Sequence, residues 1–117
     1  MHETALAKGL IGACLGALQG QKVKRVKTVT VTAGLLAGVL PGALEFAFTS
    51  MSRGTPLEGA ALVMNEAPAR LLCGDCGTAY ECAAFPFRCT HCGSGHFTVL
   101  GGEEVFVQNM ECEIAEE

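Results

Sequence analysis

Cys73-Gly74-Asp75-Cys76-Gly77 and Cys89-Thr90-His91-Cys92-Gly93 are two copies of one short unit, with residues 78–88 between them as spacer. No other feature constrains the chain so tightly. Two residues between paired cysteines allow a tight turn that aims both sulfurs at one point. Zn(II) takes four such thiolates tetrahedrally at about 2.3 Å. The glycine after each pair suits a backbone with positive φ. Backbone N–H groups in such a turn are placed to donate to charged sulfur. The pattern predicts a zinc ribbon with Cys73, Cys76, Cys89 and Cys92 as ligands. Four thiolates close the coordination sphere, so the zinc is structural and not catalytic. A redox dithiol would need its C-x-x-C at a helix start, a setting that neither pair has. Arg70 and Arg88 flank the knuckles and can offset part of the centre's negative charge.

The chain has 117 residues and seven cysteines. The odd count and the two C-x-x-C pairs favour metal binding over a disulfide framework, and a cytoplasmic location. Cys82, between the knuckles, reads as a bystander. Cys14 and Cys112 suit buried apolar positions, and His91 and His96 read as surface residues. The net charge of −4 does not favour a nucleic-acid partner. The basic run Lys22, Lys24, Arg25 and Lys27 reads as a solvated strand start, with a docking patch for an acidic surface as the sharper alternative. No membrane span is expected: the uncharged stretch 28–44 is punctuated by threonines, glycines and Pro41. An acid at Glu3 stands where a secretory leader carries basic residues.

Around the ribbon the pattern is α+β. Residues 3–19 read as a helix, with Leu6, Leu10, Cys14 and Leu18 every four residues and Ala13 and Ala17 beside them. Gly9, Gly12 and Gly16 weaken its propensity and would admit another backbone. Residues 23–32 read as a strand, with strict alternation over 28–32, and 33–40 read as a glycine-rich loop. A second helix starts at Pro41, buries Leu44, Ala47, Phe48 and Met51, and ends near Arg53-Gly54. Residues 61–66 and 105–114 are further strands, the latter with Phe106, Met110, Cys112 and Ile114 on one face. The expected fold is two helices packed on a small three-stranded antiparallel sheet, with an inserted four-cysteine zinc-ribbon domain. Residues 1–68 plus 102–117 form one domain and 69–101 the ribbon. Ala67-Pro68-Ala69 and Gly101-Gly102 are its hinges, and must lie close together.

Met1-His2-Glu3 carries a second chemistry. The α-amine of Met1 and the backbone and imidazole nitrogens of His2 can chelate one ion through fused rings. The backbone nitrogen or the carboxylate of Glu3 can complete four in-plane positions. Such nitrogen-rich tetragonal geometry suits Ni(II) or Cu(II). His2 is too bulky for the usual removal of Met1. Taken alone, the tripeptide does not distinguish a chelate from an ordinary chain terminus.

Several stretches together resemble the HypA/HybF family of hydrogenase nickel-incorporation proteins. They are Met1-His2-Glu3, Ala43-Leu44-Glu45-Phe46-Ala47-Phe48, Gly54-Thr55-Pro56-Leu57-Glu58-Gly59-Ala60, the two knuckles, and Gly102-Glu103-Glu104-Val105 leading to Met110-Glu111. The resemblance spans nearly the whole chain; the alanines and glycines of the first helix and of 32–42 depart from it. It implies a mixed α/β nickel-binding domain beside a zinc ribbon. It implies nickel held by His2, with Met1 and Glu3 as further donors. It also implies delivery to a nickel–iron hydrogenase large-subunit precursor, a maturation nickel GTPase as partner, and urease as a further client in some relatives. The protein is then no enzyme, and no nucleophile–base pair or paired-acid constellation argues otherwise. The competing reading is a zinc-ribbon adaptor or nucleic-acid module without a nickel site, which would call for a more basic ribbon than Arg70 and Arg88 supply. An inserted ribbon between two hinges leaves room for domain exchange between chains, and so for a homodimer.

Overall fold

The structure, a computed structural model, describes residues 3–115. In chain order the elements are α1 (Glu3–Leu18), β1 (Val23–Gly34), a 3-10 turn (Leu35–Ala37), α2 (Pro41–Met51), β2 (Ala61–Ala67), β3 (Ala69–Cys73), β4 (Ala79–Cys82), β5 (Phe97–Gly101) and β6 (Val105–Ile114). The chain divides into two compact units. One holds the chain up to Thr32, Val39–Asn65 and the chain from Phe106; the other holds Ala33–Gly38 and Glu66–Val105. Among the described residues, no helix is long and apolar enough to cross a membrane.

In the first unit α1 and α2 pack on each other, and the sheet runs β2-β1-β6. The buried stripe of α1 is Ala7, Leu10, Ile11 and Cys14. It is rotated from the expected one: Ala13 and Ala17 face outward. Burying Ile11 removes more apolar surface from water than burying either alanine. Pro41 opens α2, whose Leu44, Ala47 and Phe48 are buried. Val26, Val29 and Val31 put the inward face of β1 in the core. Arg25 pairs with Glu113 at 2.6 Å, and Thr32 donates to Gln108 further along, so β1 and β6 run antiparallel. Lys24 also lies 3.8 Å from Glu113, so part of the basic run is paired with an acid of β6.

β6 departs from the expected alternation. Phe106 and Ile114 are exposed, and the half-buried apolar set is Val105, Val107, Met110 and Cys112. The phase slips at Gln108-Asn109, where two consecutive polar residues both face outward. Burial pushes the Cys14 thiol up, and nearby Cys112 pushes it further.

The second unit is built on the antiparallel sheet β4-β3-β5. Its core is Ala69, Leu71, Cys73, Tyr80, Phe87 and Cys89, with Leu35, Leu36 and Cys82 packed against it. Leu35 and Leu36 come from a stretch expected to be loop; β1 instead continues to Gly34 and enters the 3-10 turn. Gly34 N–H donates to Glu104 carbonyl and Leu36 N–H to Gly102 carbonyl, both at 2.8 Å. A Cβ on Gly34 would collide with the Gly102 carbonyl oxygen. Gly102 has φ 109°, and its own Cβ position lies 2.8 Å from Ala69 Cα. The two hinges do lie together, as the returning chain requires.

Candidate metal centre

Each cysteine pair sits at a matching turn. Gly77 N–H donates to Cys73 carbonyl at 3.1 Å, and Gly93 N–H to Cys89 carbonyl at 2.9 Å. Both glycines have φ of 76°, the left-handed conformation that glycine adopts without a Cβ penalty. The turns bring the four Sγ atoms of Cys73, Cys76, Cys89 and Cys92 within 4.8 Å of one another. Cys73–Cys92 and Cys76–Cys89 are each 3.6 Å apart. Tetrahedral Zn–S bonds of about 2.3 Å place sulfurs about 3.8 Å apart. The donor set and its spacing therefore fit a structural zinc.

The electrostatics suit a bound cation. The backbone N–H groups of Cys76 and Asp75 hold the Cys73 thiol below its ordinary value. The Thr78 hydroxyl and backbone, with help from the His91 ring, bring Cys76 down to about 5. Cys92 goes the other way. The Ser94 backbone lowers it, but Cys73, burial, Cys76 and Cys89 together push it up to about 12. Sulfurs this close cannot all ionise unless a positive ion lies between them. Backbone N–H groups meet part of the charge: Asp75 donates to Cys73 at 3.4 Å, and His91 and Cys92 donate to Cys89 at 3.3 and 3.4 Å. The flanking arginines are engaged elsewhere. Arg70 lies over Gly101 and 3.5 Å from Glu104, and Arg88 lies over Gly95.

A clasp also joins the two knuckles. The Asp75 carboxylate accepts from the Ser94 hydroxyl and lies 3.1 Å from His96 Nδ1. His96 N–H donates back to Ser94 at 3.0 Å, and Gly74 N–H donates to His96 carbonyl at 2.8 Å. Asp75 belongs to the first cysteine pair, while Ser94 and His96 follow the second. The spacing of the cysteines carries no signal for such a cross-link, and sequence reasoning misses it. His96 is exposed but not idle, and His91 touches Cys76. Cys82 lies outside the four-sulfur cluster, its Sγ 3.9 Å from Arg88 carbonyl.

Of the expected nickel donors, Met1 and His2 lie outside the described residues. Glu3 is the first residue of α1. Its carboxylate accepts the backbone N–H of Leu40, at the start of α2, at 3.3 Å. Glu3 also edges an open hollow between the helices that Lys8, Ala43 and Phe46 help to line.

Residues 1–112 match the family model for hydrogenase/urease nickel incorporation, metallochaperone, hypA. The chain belongs to the HypA family. Similar full-length relatives include the hydrogenase maturation factors HypA of Geobacter metallireducens, 36% identical over 97% of this chain and 100% of the relative, and of Cereibacter sphaeroides, 39% identical over 95% and 98%. The fold matches the solution structure of the Ni metallochaperone HypA from Helicobacter pylori, with a TM-score of 0.71 at 22% identity over 99% of this chain and 100% of that one. As a HypA protein, the chain is a nickel metallochaperone of hydrogenase maturation and not an enzyme. Its four-cysteine group, fit for structural zinc, completes the HypA architecture.

Proposed function

We propose that this chain binds Ni(II) through the α-amine of Met1, the nitrogens of His2 and a donor from Glu3, and passes it to a hydrogenase large-subunit precursor in the cytoplasm. A nickel GTPase of the maturation system is its partner in that step, and urease is a further client in some settings. Cys73, Cys76, Cys89 and Cys92 hold the structural zinc. The functional division is residues 1–68 plus 102–117 for nickel and 69–101 for zinc. The observation that carries the reading is the family match, which begins at residue 1 and so includes the Met1-His2-Glu3 tripeptide.

The chemistry follows from the donors. Nickel must displace protons from the amine, the imidazole and a backbone nitrogen. Affinity therefore falls as pH drops through about 8 and then about 6.5, where unperturbed amine and imidazole protonate. A site at the first residues of a helix releases its cargo with little disruption of the fold behind it. His2→Ala is expected to abolish tight Ni(II) binding while the zinc content stays unchanged. Nickel binding equal to wild type would overturn the assignment and favour a zinc-ribbon adaptor.

A further inference from the structure

β5 is an edge of the sheet β4-β3-β5. The ladder shows which of its backbone groups point outward. Cys73 N–H turns away to Thr78 carbonyl, while Gly74 N–H donates to His96 carbonyl. Bonded and non-bonded pairs alternate along an antiparallel ladder. Cys73 with Phe97 is thus a non-bonded pair, Leu72 with Thr98 a bonded one, and Leu71 with Val99 again non-bonded. Phe97 and Val99 therefore turn their N–H and C=O groups to the open side, and among the described residues no other segment takes them. Phe97, Val99 and Leu100 are all exposed. No proline or charged residue interrupts Phe97–Gly101, and the irregularity of the ladder falls beyond Val99. An edge left unblunted in this way is a template for another strand. The opposite edge, β4, carries the exposed Glu81, which two apposed copies would set against each other.

We propose that β5 is a docking strand for a second copy of this chain, the two β5 strands pairing antiparallel about a two-fold axis at Thr98. In that register Phe97 of each copy exchanges both backbone hydrogen bonds with Val99 of the other. The side chains of the same pair meet on the core side of the sheet, an aromatic against a β-branched residue. They extend an apolar surface begun by the hollow of Leu36, Phe85 and Phe87, where Phe85 is 66% exposed and stacks on Phe87 at 4.4 Å. Charge selects a copy of this chain over another apolar strand. Arg88 lies over Gly95, just before β5, and Glu103 follows just after it. Neither side chain has an oppositely charged partner among the described residues. Antiparallel pairing sets the Arg88 end of each strand beside the Glu103 end of the other, and the two-fold axis makes both complementary contacts at once. A strand pair and its flanks form a small interface, of the weakly associating class. The inference concerns the ribbon alone and is independent of the nickel reading.

The test is sedimentation equilibrium on the full-length, zinc-loaded protein, from low micromolar to near-millimolar concentration. Wild type is expected to interconvert between monomer and dimer, with a dissociation constant on the order of 10 μM. Thr98→Lys sets two ammonium groups against each other at the axis and should weaken association more than about tenfold. Arg88→Glu and Glu103→Arg should each weaken it about fivefold, and the two together in one chain should restore it to within about twofold of wild type. Zinc content and far-UV circular dichroism check that each variant folds. Arg88 and Glu103 are exposed, so the charge exchange decides even if Thr98→Lys does not fold. A wild type that stays monomeric over the whole range, a dimer indifferent to Thr98→Lys, or a charge exchange that fails to rescue would overturn the proposal. A dimer that persists on dilution and ignores all of these substitutions would overturn it too, and would assign association to exchange of the ribbon between chains.

Discussion

Glu104 ties the junction where the ribbon rejoins the last strand. Its carboxylate accepts Gly102 N–H at 3.0 Å and lies 3.5 Å from Arg70. Its own backbone N–H, then that of Gly102, then Arg70, hold the carboxyl below its ordinary value of 4.5. A depressed carboxylate contributes stability that is fully present above the ordinary value and is lost as pH falls through the lowered folded value. Glu104→Gln should therefore cost stability at pH 7 and converge on wild type in acid, as read from urea unfolding followed by far-UV circular dichroism at several pH values. A constant difference across the acid range would contradict this. At the residue scale, the four-sulfur cluster was legible because metal geometry imposes a spacing on the chain itself. Glu104, and the Asp75–Ser94–His96 clasp, were not, because each joins residues whose proximity only the folded turns create.

Glycine has opposite meanings in two elements. Gly9, Gly12 and Gly16 face outward on α1, and a Cβ at any of them would meet nothing within 4 Å. Their lack of a side chain would admit another backbone; among the described residues none comes that close. Each replaced by alanine should stabilise α1 by up to about 1 kcal/mol, through helix propensity alone. Gly34 is the reverse: its Cβ would overlap the Gly102 carbonyl, a backbone atom that cannot step aside. Gly34→Ala should destabilise the protein by about 3 kcal/mol, the upper end of overpacking effects. Thermal unfolding of the four variants checks both signs, and a stabilised Gly34→Ala would contradict the geometry. The long periodic elements α1, β1, α2 and β6 were legible from their spacing. β3, β4 and β5 were not, since five, four and five residues are too short for alternation to stand out. The facing of β6 differs from the expected one because its phase slip at Gln108-Asn109 has no apolar marker.

The ribbon as a whole depends on its metal. Two of its six core residues, Cys73 and Cys89, are themselves expected ligands, and a core this small usually needs a staple. Chelating zinc should therefore unfold residues 70–100 while the helices and the sheet β2-β1-β6 persist, as followed by amide resonances in heteronuclear NMR. One cooperative loss of the entire fold would contradict that independence. The two-part architecture was legible from the duplicated knuckles and the hinge residues. The recruitment of Leu35 and Leu36 to the ribbon core was not, because they are distant from it in sequence and lie in a glycine-rich stretch. The central claim concerns the other metal. It is tested most directly by calorimetric titration of Ni(II) into zinc-loaded protein with its native N-terminus, beside the same protein carrying one extra residue before Met1. One nickel bound tightly by the native chain, and lost on extension, is the predicted result. Equal binding by both, or by neither, would contradict a nickel site built on the terminal amine and His2.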